Sequence, residues 1–173
     1  MIRHQEILDS IKETLQTILI ANGYHTDLGL NVYVNKPNEI IANSNDDALN
    51  IKDVALTALT AKTGGMVNFF DYTMLVEISI HFKGATAITK IREGIWDVQK
   101  AIGTNIKWDD QAINTYPPEG SEFIQMVFEQ EENTIVGAKI NIIIEFRTKQ
   151  WNEDEVLTYL AEEDGDYFIV QEP

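Results

Sequence analysis

The stretch TIVGAKINIIIEFRTK, residues 134–149, decides how the chain folds. Ala138, Ile140, Ile142, Ile144 and Phe146 fall at every second position, the pattern of a strand with one face in a core. Upstream, Glu122–Gln130 repeats it with Ile124, Met126 and Phe128. Glu131-Glu132-Asn133 is the turn that joins the two as a hairpin, and Gly137 marks a bulge. Tyr72–Lys83 alternates as well: Val76, Ile78, Ile80 and Phe82 point one way, Glu77, Ser79 and His81 the other. Val54–Lys62, reached through the turn signal Gly64-Gly65, reads as its hairpin partner; for VALTALTA a helical turn is the alternative.

Around these strands the period changes. Residues 3–22 carry Ile7, Ile11, Leu15 and Ile18 at helical spacing, widened by Leu8 and Leu19, and Asn22-Gly23 is a helix stop. Residues 85–102 carry Ile88, Ile91, Ile95, Val98 and Ile102 at spacings of three and four, and Gly103 closes that helix. Leu30–Asn35 is a short strand, 36–53 an Asn- and Asp-rich loop, and Ala112–Tyr116 an edge strand ended by Pro117-Pro118. The order predicts an α+β fold. It has an antiparallel or mixed β-sheet, long hairpins and two main helices packed on one face. Residues 1–150 form this domain. Residues 151–173 are an acidic extension read as a helix, capped by Asn152 with Glu155, followed by the β-prone segment Tyr167–Val170.

With 173 residues the chain has room for one domain. A globular chain of this size removes roughly 70% of its unfolded surface from water, so a core forms without staples. There is no cysteine, which excludes disulfides, thiolate metal sites and Cys nucleophiles. No apolar run approaches a membrane span, and the N-terminus has no signal-type apolar block. The expectation is a soluble protein made in a cytoplasm.

Net charge is −15, and it is uneven. Residues 151–173 hold eight acids and no base, which leaves −7 on the first 150 residues. Such a chain lacks the clustered Lys and Arg that release counterions from nucleic acid, and it suits an anionic membrane surface equally badly.

The motifs of phosphate-binding loops, dinucleotide folds, serine hydrolases and zinc proteases are absent. His4, His25 and His81 have no ligand spacing and read as structural or solvated. Asp46/Asp47, Asp109/Asp110 and Glu131/Glu132 are adjacent carboxylates that suit turns better than acid–base chemistry. Trp96, Trp108 and Trp151 lie near element ends and read as core-edge packing or subunit contacts. Arg147 sits on an apolar strand, where Glu145 or Glu77 is its expected partner. Candidate interface residues are Met66, Val67, Phe69 and Phe70, too apolar a run for free solvent beside a turn. Arg147, Trp151, Tyr167, Phe168 and Ile169 join them; the last three sit on an arm able to add a strand to a neighbouring copy.

Several segments together resemble the tail terminator and tail-completion proteins of long-tailed bacteriophages. They are the opening helix RHQEILDSIKETLQTIL, then VYVNKP and a long loop, TMLVEISIHFKG with the helix TKIREGIWDVQKAI, and a final hairpin ending KINIIIEFRTKQW. The resemblance covers roughly residues 3–150 and leaves 151–173 outside it. It implies a non-enzymatic virion protein without cofactor or metal. Such proteins form a ring, a hexamer in the family pattern, on the end of the tail tube, stop its polymerisation and present a surface to the head connector. The implied partners are further copies of the chain, the tube protein and the head connector, with no sequence-specific nucleic-acid binding and no membrane. An acidic inner surface would repel DNA passing through such a ring. Two readings compete: a DNA-mimic inhibitor that uses its negative charge against a nucleic-acid-binding protein, and a small metal-dependent hydrolase.

Overall fold

The computed structural model describes residues 3–37, 46–64, 67–84, 86–120, 123–129, 135–149, 158–161 and 167–170. The elements are α1 (Arg3–Gln16), β1 (Val32–Val34), β2 (Ala48–Gly64), β3 (Val67–Lys83), α2 (Ala87–Thr104), β4 (Asn114–Tyr116), β5 (Ile124–Glu129), β6 (Ile135–Lys149), β7 (Thr158–Ala161) and β8 (Tyr167–Val170). Six strands form one sheet in the order β1-β2-β3-β6-β4, with β5 beside β4 on the same flank of β6. β1 runs parallel to β2 and every other pairing is antiparallel, so the sheet is mixed and the fold is α+β.

Period-two alternation sets which face is buried. Ile78 stands opposite Ile51 and Ile140, and Ile80 opposite Leu49 and Ala138. These residues, with Met74, Val76, Phe82, Ile142, Ile144 and Phe146, line the face that the apolar stripes of α1 and α2 cover. Burying one such side chain contributes about 1.5–3 kcal/mol. The other face carries Glu77, His81 and Lys139.

Several boundaries differ from those the sequence predicts. α1 ends at Gln16, because the loop at Leu28–Leu30 folds back and caps it: the Gly29 N–H donates to the Ile18 carbonyl at 2.8 Å. A Cβ on Gly29 would lie 2.6 Å from the Gln16 carbonyl oxygen, so only glycine allows this approach. Asn22-Gly23 ends a single 3₁₀ turn, with Gly23 at φ 82°. α2 runs past Gly103 to Thr104 and is closed by Asn105 instead. The Asn105 side-chain amide reaches Thr14 and Ser10 on α1 at 3.1 and 3.3 Å, so the stop is also a helix–helix clasp.

β2 begins at Ala48, inside the expected loop 36–53. Leu49 and Ile51 are buried, and Asn50 between them exchanges two side-chain hydrogen bonds with the Lys36 backbone, at 2.8 and 3.1 Å. Asp47 fixes the start of the strand by accepting the Lys83 N–H at 3.0 Å and the Lys90 ammonium at 3.3 Å. The segment VALTALTA is strand throughout. Gly137 is in register with both Val127 and His81, so it marks no bulge. The irregularities lie in β2 instead, between Asp53 and Ala55 and between Ala58 and Thr60.

Trp108 is wholly buried, not at a core edge. Its Nε1 donates to Thr115 Oγ1 at 2.9 Å, and Trp108, Asp109 and Asp110 turn the chain with φ of 49°, 57° and 64°. Trp96 stands mid-helix and is 61% exposed. In the extension, Thr158–Ala161 is a strand where a helix was expected, paired only with β8. Its capping pair Asn152 and Glu155, like the expected turn Glu131–Asn133, lies outside the described residues.

Candidate functional site

The hairpin β2–β3 is longer than the helices that cover it. Each strand has 17 residues, yet among the described side chains the core residues of β2 stop at Ile51 and those of β3 begin at Met74. From Asp53 to Ala58 every residue of β2 is exposed, on both faces of the pleat. Twelve residues, Asp53–Gly64, at the rise of a strand make an arm on the order of 35–40 Å long. Val54 and Leu56 on it are 55% and 53% exposed. Leu56 stands opposite Met74, so the buried apolar face of the sheet continues outward without a cover. Tyr72 and Phe146 stack across β3 and β6 with ring centroids 5.5 Å apart.

The outer edge of β2 changes character along its length. β1 pairs with Leu49, Asn50 and Ile51, and the Asn35 N–H donates to the Ile51 carbonyl at 2.8 Å. From Asp53 to Gly64 no strand among the described residues lies on that edge. A strand edge without a neighbouring strand is the arrangement that recruits another strand.

Register brings part of the predicted interface set together at this end of the sheet. Phe69 is opposite Lys62 and Lys149, Phe70 opposite Ala61 and Thr148, and Val67 pairs with Gly64. Met66 and Trp151 lie outside the described residues. Tyr167, Phe168 and Ile169 form β8, in a two-stranded sheet of its own.

Arg147 takes neither partner expected for it. Asp71 lies directly across the ladder, and the guanidinium donates to both its carboxylate oxygens, at 2.6 and 3.2 Å. Glu145 accepts instead from the Tyr116 hydroxyl at 3.1 Å, and Glu77 is taken by Lys139 at 2.9 Å. The Asp71 contact raises the Arg147 pKa further. Burial alone would raise the Glu77 carboxyl, but hydrogen bonds from Lys139 and Ser79 outweigh it and hold the group below its usual range. His81 sits on the same polar face with its Nε2 buried and unpartnered. Burial lowers its pKa, and Lys52, Lys83 and Lys139 lower it further.

The two other histidines are apart from this surface. His4 is half-buried in α1. His25 is held by Asp97, an acid of α2 that sequence patterning does not single out. Asp97 is fully buried and accepts the Thr26 N–H and hydroxyl at 2.8 Å each, the His25 N–H at 3.0 Å and the His25 ring at 2.9 Å. Its signal is positional: three residues after Gly94 and four before Ala101, it interrupts the apolar stripe of the helix. A groove of about 300 Å³ opens beside it, lined by Ile20, Asp27, Leu30, Asp46, Lys90 and Glu93 among others. The Asp97 hydrogen bonds are spent on two backbone amides and their side chains, so its work is to clamp the loop. Asp109 does similar work by accepting from Ser10 at 2.6 Å. No group of three or more His, Asp or Glu among the described residues is placed to hold a metal ion, and no described helix is long and apolar enough to cross a membrane. No protein-family profile matches the chain, and no curated protein sequence matches it either.

Proposed function

We propose that this chain is a non-enzymatic assembly protein of the tail-terminator type, a ring subunit that ends a phage tail tube and offers a joining surface to the head. One observation carries the reading: the β2–β3 arm, exposed on both faces along Asp53–Ala58 and with no strand on its outer edge among the described residues. A monomer gains little from ordering such a ribbon, because two-stranded structure alone is marginal in water. Neighbours in a ring would cover it, and a cyclic ring joins subunits by unlike surfaces, so one edge per copy suffices. The rigid sheet and its two helices supply the body, and the order of elements from α1 to β6 is the order in which the tail-terminator resemblance is read.

The reading is tested by light scattering coupled to size-exclusion chromatography. A species of about six chain masses, growing with concentration, is the expected result. A monomer persisting at high micromolar concentration counts against a ring. The phage context has its own test: deleting the gene from the phage that carries it should leave tails of uncontrolled length without heads. Headed tails of fixed length would sink the assignment.

A further inference from the structure

The 3₁₀ turn Ile20–Asn22, between α1 and β1, ends on Asn22-Gly23, the one place in the chain where Gly follows Asn. Asn is a thermolabile residue, and its neighbour sets how labile it is. The side-chain carbonyl carbon, Cγ, lies within five-membered-ring reach of the next backbone nitrogen. Gly has no Cβ, so it leaves that nitrogen unhindered and the backbone free to turn toward it. Every other Asn in the chain is followed by a residue with a side chain.

The fold decides how the pair is held. Ile20, Asn22 and Gly23 are exposed, so water reaches the amide. Asn22 Nδ2 donates to the Thr17 carbonyl at 2.8 Å, just past the end of α1, and the Gly23 N–H donates to the Ile20 carbonyl at 3.0 Å. Each reacting group is thus tied by a hydrogen bond. Lys100 of α2 donates to the Gly23 carbonyl at 2.9 Å and lies over the Tyr24 ring, 4.5 Å from its centroid. A three-residue 3₁₀ turn with no buried residue is a unit of low local stability, so these bonds open without global unfolding.

We infer that Asn22 is a spontaneous modification site, converted in the folded protein to aspartate and isoaspartate through attack by the Gly23 nitrogen. That nitrogen loses its proton to solvent and bonds to Asn22 Cγ. The bond from Cγ to Nδ2 breaks, and Nδ2 leaves as ammonia. Water then opens the cyclic imide: at Cγ it gives aspartate, at the main-chain carbonyl it gives isoaspartate, and no electrons change hands. Either product faces the Thr17 carbonyl with a carboxylate, which has acceptors only, so the bond tying the turn to the end of α1 is lost. Isoaspartate also adds a methylene to the main chain and shifts Gly23 from the place where it meets Ile20 and Lys100. The product therefore has a looser loop after α1.

The experiment incubates the full-length protein in mildly alkaline buffer, folded and unfolded in urea, and maps peptides by mass spectrometry. The Asn22 peptide of the folded protein should gain the mass of an amide turned to an acid, ahead of every other Asn peptide. Its rate should be at least about tenfold below that in urea, because the turn must first open. Asn22→Gln, whose longer side chain closes a ring slowly, should stay unmodified. An Asn22 that stays intact in the folded protein overturns the inference, whether or not the urea sample is converted. Hydrogen exchange then compares modified with fresh protein: faster exchange at Asn22–Tyr24 is expected, and unchanged exchange there overturns the release of the loop.

Discussion

Asp97 and His81 show how single polar residues inside the fold set its stability. Four donor groups of His25 and Thr26 converge on the buried Asp97 carboxylate. Removing it leaves backbone amides without acceptors, so Asp97→Ala should destabilise the protein by about 2–3 kcal/mol. Asp97→Asn, which keeps one acceptor oxygen, should lose less. Chemical denaturation measures both, and an alanine variant as stable as wild type would show that the loop does not need the clamp. At His81 the folded state disfavours the proton: burial and then Lys52 on β2, Lys83 on β3 and Lys139 on β6 lower the pKa, and Glu77 offsets this only in part. The unfolded imidazole takes up its proton near 6.5, while the folded one stays neutral to lower pH. The unfolded state then binds more protons, so the His81 contribution is fully present above 6.5 and is lost as pH falls toward the depressed native value. Glu77, with a lowered pKa, contributes stability above its ordinary 4.5 that is lost only below it, a separate window. Unfolding free energies at pH 7.5 and 5.5 should therefore differ less in His81→Gln than in wild type. Equal differences would contradict this.

Among the elements, β2 carries the sharpest contrast within one strand. Its first residues, Ala48–Ile51, are locked between β1 and β3, and Asp53–Ala58 are exposed. Local opening should follow that division. In dilute protein, amides of Ala55–Ala58 are expected to exchange with solvent at least a hundredfold faster than those of Val76–Ile80, and to slow on assembly. Uniform protection along the hairpin, measured by hydrogen exchange, would mean that the arm is no separate unit. The same strand marks how far sequence reading reaches. β3 and β6 were legible because one face is buried over many residues, so apolar side chains recur without interruption from Val76 to Phe82 and from Ala138 to Phe146. The start of β2 was not, because its outer face is satisfied by Asn50 bonding Lys36, and Asn within an Asn- and Asp-rich stretch reads as loop. Helix lengths depart from their apolar patterning where tertiary contacts end them: Gly29 docking on α1, and Asn105 clasping both helices. The open edge had no local signal at all. It exists because β1 is three residues long and β2 is seventeen, which only the register reveals.

At the scale of the whole molecule, charge decides what the surface repels. Several basic groups are engaged within the fold: Lys90 with Asp47, Lys139 with Glu77 and Arg147 with Asp71. Over the register of the arm Lys52, Lys62, Arg147 and Lys149 are matched by Asp53, Asp71, Glu77 and Glu145, on a chain of −15. Duplex DNA needs several phosphates neutralised at once, and its affinity falls steeply with salt. The protein should therefore give no mobility shift of duplex DNA at ten micromolar and 50 mM salt. Removing the charge of the extension tests whether the body hides a nucleic-acid surface. With all eight acids of 151–173 changed to Asn or Gln the chain keeps a net −7, an unfavourable balance for gripping a phosphate backbone. That variant should also leave DNA unshifted. A salt-sensitive shift in the neutralised variant alone would mean that the extension masks a nucleic-acid site on its own body.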